Sequence, residues 1–226
     1  MAVNRRSPRT RSEPYHHGDL SRALVKAAEE LLEERGVEGF TLRECARRAG
    51  VSHAAPAHHF GDVGGLLAEV AASGFERLTA AILKAKPRES DPAKWMVLGN
   101  LIYVQFAIDH PALFRLMFHS ARVDRSSERL RSAGTAAFAT LKAGLSGLRG
   151  DGGADVMASE AWRDPELLEQ WALIHGLATL AVEGQLRGAE STRKLTAALR
   201  RVLELNVATL EERRRGRANL SPAKVV

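Results

Sequence analysis

The stretch Phe40–Phe60, FTLRECARRAGVSHAAPAHHF, decides the fold. Thr41 is placed to cap a helix: its hydroxyl can accept from the Glu44 N–H while the Glu44 carboxylate reaches back to the Thr41 N–H. Leu42, Cys45, Ala46 and Ala49 fall at helical spacing, which predicts a short helix over Leu42–Ala49. Gly50 can adopt the left-handed conformation that ends it, and Val51 supplies an apolar plug. Ser52 is expected to cap a second short helix reaching about His59. Two short helices joined by a glycine-containing turn describe a helix-turn-helix, whose second helix enters the major groove of DNA. An αα-corner in a helical core gives the same Ala, Gly and Val intervals. The second helix speaks against that: His53, Ala54, Ala55, His58 and His59 are small or polar where a core helix carries Leu and Ile.

Outward from this stretch, the chain reads as helices throughout. Residues 1–14 form a basic arm expected to be disordered, with Arg5, Arg6, Arg9 and Arg11 and no acid from Arg5 to Arg11. Such an arm reaches into a minor groove or stays a solvated tail, and the residues leave both open. Asp19 is expected to begin an amphipathic helix with Leu20, Leu24, Ala28, Leu31 and Leu32 on one face and Glu29, Glu30, Glu33 and Glu34 on the other. Gly36 ends it. A helix from Asp62 carries Leu66, Leu67, Val70, Phe75, Leu78 and Ile82, and its first amides suit a DNA phosphate. Lys84–Pro92 is the clearest linker. Ala93–Asp109 is apolar nearly all round, Pro111 opens a short helix through Phe118, and Glu128–Leu148 forms another. Two long helices, about Pro165–Arg187 and Ser191–Arg214, close the chain. The fold class is all-α: a three-helix reader at 15–61, a helical domain at 62–215 and a tail at 216–226.

Composition narrows the function. A net charge of +6 and a pI near 9.9 suit an anionic partner. The single Cys45 excludes an internal disulfide and fits a reducing compartment. No apolar leader and no run of membrane-spanning length is present, so a soluble cytoplasmic protein is expected. No nucleophile elbow, zinc motif or clustered acid/base pair supports an enzyme. RGDGGAD at 149–155 lacks the Lys-Ser/Thr of a phosphate-binding loop. His53, His58 and His59 miss the i, i+4 spacing of paired metal ligands, so no metal and no cofactor is expected; His110, His119 and His175 leave a haem as the alternative.

Tyr15-His16-His17-Gly18-Asp19-Leu20, Phe40-Thr41-Leu42-Arg43, Ala49-Gly50-Val51-Ser52 and His59-Phe60 together resemble the N-terminal domain of TetR-family transcriptional repressors. Trp171-Ala172-Leu173-Ile174-His175-Gly176-Leu177 and Tyr103–Phe118, with His110-Pro111-Ala112-Leu113-Phe114, resemble one C-terminal subclass marked by Trp, His and Gly. The resemblance and the helix phase select Ser52, His53, Ala54, Ala55, His58 and His59 for base edges and phosphates, joined by Thr41 and Arg43 from the preceding helix. Arg9, Arg11, His16 and His17 are the flanking candidates. Two departures weaken the match: Ala57 stands where most relatives have Tyr, and Val63 where they have Lys, both phosphate contacts.

The resemblance further implies an effector pocket among the middle helices. Phe106, Phe114, Met117, Phe118, Trp171 and His175 are the apolar and aromatic candidates, with Tyr103 and Gln105 as polar ones; His175 is equally readable as a core histidine. It implies a homodimer through the last two long helices, a double-stranded DNA operator, and release of DNA by a small-molecule effector that prefers another shape. Co-repression has the same sequence pattern. The rival readings are a helical ligand-binding protein, a helical enzyme or a structural adaptor.

Overall fold

The computed structural model describes residues 17–85, 91–150, 158–186 and 192–220. Among them there are nine α-helices and no strand: α1 His17–Arg35, α2 Leu42–Ala49, α3 Ala55–Phe60, α4 Val63–Lys84, α5 Pro92–Asp109, α6 Pro111–His119, α7 Glu128–Arg149, α8 Pro165–Val182 and α9 Thr192–Leu220. A 3₁₀ turn at Ala158–Arg163 precedes α8.

The first three helices form a compact unit around Leu24, Ala28, Leu31, Leu32, Phe40, Cys45 and Ala46, all essentially inaccessible. Cys45 sits in this core with its thiol directed at the Leu24 carbonyl, 3.4 Å away. Burial pushes that thiol up to about 11, so it stays protonated and unreactive at neutral pH. The glutamates of α1 are not all turned outward as expected. Glu29 accepts from Ser73 Oγ of α4 at 2.9 Å and pairs with Arg77, while Glu34 pairs with Arg48 of α2.

Helix α4 leaves this unit and enters the rest of the protein. Its inner residues, Leu66, Leu67, Val70, Phe75, Leu78 and Ile82, are buried, and one continuous core runs from α1 to α9. Its most extensive neighbour is α7, with α6, α5 and α1 around it. Helix α5 is the centre of the larger domain, packed by α4, α6, α7, α8 and α9. That position explains its apolarity on all sides. Asp91 caps it, accepting from the Ala93 and Lys94 amides at 3.0 and 3.3 Å.

Several boundaries differ from the sequence reading. Helix α1 begins at His17 rather than Asp19. Helix α8 stops at Val182, where Glu183–Leu186 turn and Gly184 takes φ 73°. Arg187 lies outside the described residues. Helix α9 runs on to Leu220, so 216–220 continue the helix instead of starting a tail. No helix among the described residues is long and apolar enough to cross a membrane.

Candidate functional site

The reader is built from a series of short-range choices. Thr41 Oγ1 accepts from the Glu44 amide at 3.3 Å, and Gly50 closes α2 at φ 70°. The reciprocal half of the capping box is not made. The Glu44 carboxylate instead takes two hydrogen bonds from Arg47, at 2.8 and 2.6 Å, and one from Arg35 at 3.5 Å. The Arg47 guanidinium is the main reason its carboxyl is held down to about 2.

Helix α3 begins at Ala55, not beside Ser52. Pro56 explains the shift. A helix capped by Ser52 would put Pro56 past its first turn, where it has no N–H to give the Ser52 carbonyl and its ring meets that carbonyl. Starting at Ala55 puts Pro56 in the first turn, where it is buried. Ser52–Ala55 become a backbone turn, closed by the Ala55 amide on the Ser52 carbonyl at 3.0 Å. Ser52, His53, Ala54, Ala57 and His58 are exposed, and Ala55 and His59 are half-buried. Thr41 and Arg43 are exposed nearby, and Arg43 has no ion-pair partner among the described residues. Arg9, Arg11 and His16 lie outside the described residues, and His17 is the first residue of α1.

Helix α4 starts hard against the end of α3. A Cβ on Gly65 would run into the Phe60 carbonyl oxygen, so only glycine permits this approach. Asp62 caps α4, accepting from the Gly65 amide at 3.0 Å. This corrects the expectation of a phosphate cradle there: a carboxylate already takes one of the free amides, and its charge disfavours a second anion. Val63 is half-buried at the same corner.

A second feature lies in the larger domain. Helices α4, α5, α7 and α8, with Phe118 of α6, enclose a cavity of about 190 Å³. Of the expected pocket residues, Tyr103, Phe118 and Trp171 stand on its wall. Phe114 and Met117 are fully buried in the core beside it. Phe106 is buried off the wall against His110, with the Arg77 guanidinium 5.9 Å from its ring. Gln105 faces away and donates to Asp109 at 2.8 Å. His175 stands one shell back, with Nδ1 2.9 Å from the Tyr103 hydroxyl and its ring 4.7 Å from Phe118. Burial, then the nearby His119, lowers its pKa; a neutral ring can accept from the tyrosine. Burial also raises the Tyr103 pKa, keeping the phenol protonated.

The wall residues missed by sequence reasoning are mostly small or aliphatic. Gly134, Ala137, Leu141 and Gly144 line one face of α7, and Met96, Gly99 and Asn100 join Tyr103 on α5. Trp95, Phe138, Thr140 and Ile174 complete it with Phe75, Leu78 and Ile82 of α4. The usable signal was the recurrence of Gly and Ala every three or four residues along α7. A search directed at aromatic rings passes over it.

Two sets of contacts join the cavity to the reader. Helix α4 runs from the Phe60 contact to the cavity wall. The loop between α6 and α7 also folds back: Arg122 donates to the Val37 carbonyl and, at 3.1 Å, to that of Phe40, immediately before the Thr41 cap. The Asp124 amide donates to the Gly64 carbonyl at 3.2 Å. On α7, Arg129 pairs with Glu69 and Glu76 of α4.

Comparison with known proteins bears on both ends. Residues 24–70 match the family model of bacterial regulatory proteins, tetR family, and residues 101–205 match that of the tetracyclin repressor-like C-terminal domain. Among curated proteins no sequence matches the chain. A solved structure from Rhodococcus sp. RHA1, a protein of unknown function, shares 37% identity over 85% of this chain and 97% of that one, with a TM-score of 0.67. The TetR family transcriptional regulator PfmR from Thermus thermophilus shares 18% identity over 82% and 97%, with a TM-score of 0.58. A single-residue variant of TetR from Acinetobacter baumannii AYE, in complex with minocycline, shares 21% over 85% and 97%, with a TM-score of 0.57. The last two likenesses are of fold.

Proposed function

Because the chain belongs to the TetR family of DNA-binding transcriptional regulators, we propose that it is a homodimeric repressor released from a palindromic operator by a small apolar or aromatic effector held in the α4–α8 cavity. Ser52, His53, Ala54, Ala55, His58 and His59 read the major groove, with Thr41 and Arg43 on the flanking backbone and the arm of Arg9 and Arg11, with His16 and His17, beside it. The imidazoles donate to purine acceptors or phosphates, and the alanines pack against a thymine methyl. Such a regulator works in the cytoplasm, where the chromosome is.

The observation that carries this reading is the shared helix. Helix α4 touches the reader at Gly65 and walls the cavity through Phe75, Leu78 and Ile82. A ligand that prefers a different position of α4 shifts the spacing of the two recognition helices away from the ~34–36 Å of successive major grooves. Arg122 carries the same displacement to the start of α2. Dimerisation is supported by the apolar surface that α8 and α9 leave uncovered: Leu168 and Leu180 on one, Val202 and Leu205 on the other, each at least 40% exposed. Single exposed leucines need no explanation, but four large apolar side chains exposed on the last two helices are consistent with a partner that covers them.

The test is fluorescence anisotropy of the full chain with DNA from upstream of its own gene, titrated at two salt concentrations against random competitor. Saturable binding by a dimer that survives competitor is expected. Binding lost equally to competitor would sink the repressor reading and leave a helical ligand-binding protein with weakened DNA affinity, as Ala57 and Val63 suggest.

A further inference from the structure

We propose that the cavity selects an uncharged, single-ring aromatic molecule carrying a hydrogen-bond acceptor, which the side-chain amide of Asn100 holds. The proposal rests on the reading of this cavity as a ligand site and names what it takes.

Three observations carry it. First, Asn100 is 95% buried in the middle of α5, on the cavity wall, and its Nδ2 has no hydrogen-bond partner. A buried amide donor left unpaired is costly and uncommon, which points to a group supplied from outside the chain. Two other polar wall groups are already engaged: the Tyr103 hydroxyl with His175 at 2.9 Å, and Thr140 Oγ1 with the Ala137 carbonyl at 2.7 Å. Second, no Asp, Glu, Lys or Arg stands on the wall. A carboxylate or ammonium entering there loses its hydration with no counter-charge, and it is rejected. Third, the size fits one ring. A dry apolar cavity of about 150 Å³ accommodates benzene, so about 190 Å³ leaves room for a ring and a small substituent. The glycines make that room: a Cβ on Gly134 or Gly144 would stand in ordinary contact with Phe75 or Met96, at 3.9 and 3.8 Å, and anything longer would enter the space.

Isothermal titration of the full chain with four probes of similar size tests this: acetophenone, its apolar isostere isopropylbenzene, benzoate and benzylammonium. Acetophenone is expected to bind about fivefold to tenfold tighter than isopropylbenzene, against their order of hydrophobicity, as one buried hydrogen bond gives. Neither ion should give a detectable heat. In Asn100→Leu the preference should vanish, with isopropylbenzene binding at least as well as in the native protein. The four-probe series on the native chain stands even if that variant fails to fold. Binding of either ion as tightly as acetophenone, binding of none of the probes, or no preference between the neutral pair overturns the proposal; so does a preference that Asn100→Leu leaves intact. The effector reading fails differently: acetophenone would bind with the expected preference and leave DNA affinity unchanged.

Discussion

The two ends of this protein use glycine in opposite ways. At the reader, Gly65 lets two backbones meet closer than any Cβ allows. At the cavity, Gly134 and Gly144 put no side chain toward Phe75 and Met96 and so leave the space on that wall unfilled. One region is specified by contact and the other by the omission of contact. The comparison breaks most sharply with one substitution made twice. Gly65→Ala forces α4 off the Phe60 carbonyl and should cost about 1–3 kcal/mol, the range for overpacking. It should also abolish specific DNA binding, because α3 moves with that corner. Gly134→Ala meets only ordinary contact and removes a helix-interior glycine, so it should stabilise by about 0.5–1 kcal/mol. Thermal unfolding of both variants, with anisotropy on operator DNA, measures the pair. Equal effects would remove the distinction.

The contact-made end was largely legible in the sequence, because its signals are local. Thr41, Gly50 and the helical spacing of Leu42, Cys45, Ala46 and Ala49 each act within a few positions, and α2 forms where they place it. What was misread there came from longer reach. The late start of α3 follows from Pro56 acting on a carbonyl four residues back, and Glu44 abandoned the cap because arginines from two directions offered it charge. The cavity was legible only as an expectation that one exists. Its wall draws on α4, α5, α6, α7 and α8, so membership depends on how helices rotate against one another, which no local pattern encodes. Tyr103, Phe118 and Trp171 reach it, while Phe114 and Met117, equally apolar and one turn apart, fill the core instead.

Arg122 is where the two kinds of construction are tied together, and its removal should have an intermediate effect. Arg122→Met keeps most of the packing of the side chain but leaves the Phe40 carbonyl without its donor and the Val37 carbonyl with the Phe40 amide alone. The expected loss is about 1–2 kcal/mol, confined to local opening of the reader. Hydrogen exchange should therefore quicken about fivefold to thirtyfold for amides from Val37 to Ala49, since about 1.4 kcal/mol is tenfold. Amides of α5 and α7 should exchange as before. Quickening spread evenly over the molecule would show that the loop supports the whole fold and does not latch the reader.

The smallest effect is electrostatic and lies within the reader itself. Of the cations on α2, Arg47 and Arg48 are committed to Glu44 and Glu34, while Arg43 has no ion-pair partner among the described residues. The Glu44 carboxyl is held below its usual value of 4.5, to about 2, chiefly by the Arg47 hydrogen bonds. A folded-state pKa below the unfolded one contributes stability that is fully present above about 4.5 and is lost as pH falls through about 2. The difference in stability between the native protein and Glu44→Gln should therefore be constant at neutral pH and shrink across that window. It should be small throughout, because the Arg47 end of the pair is open to solvent and screened. The same variant should act in the opposite sense on DNA. Freed from Glu44, Arg47 becomes available to a phosphate, and each phosphate neutralised adds about 0.9 to the slope of log affinity against log salt. Anisotropy at several salt concentrations should show a steeper slope by about that amount, with tighter binding at low salt. An unchanged slope would mean that Arg47 points away from the DNA, leaving Arg43 as the α2 cation that reads it.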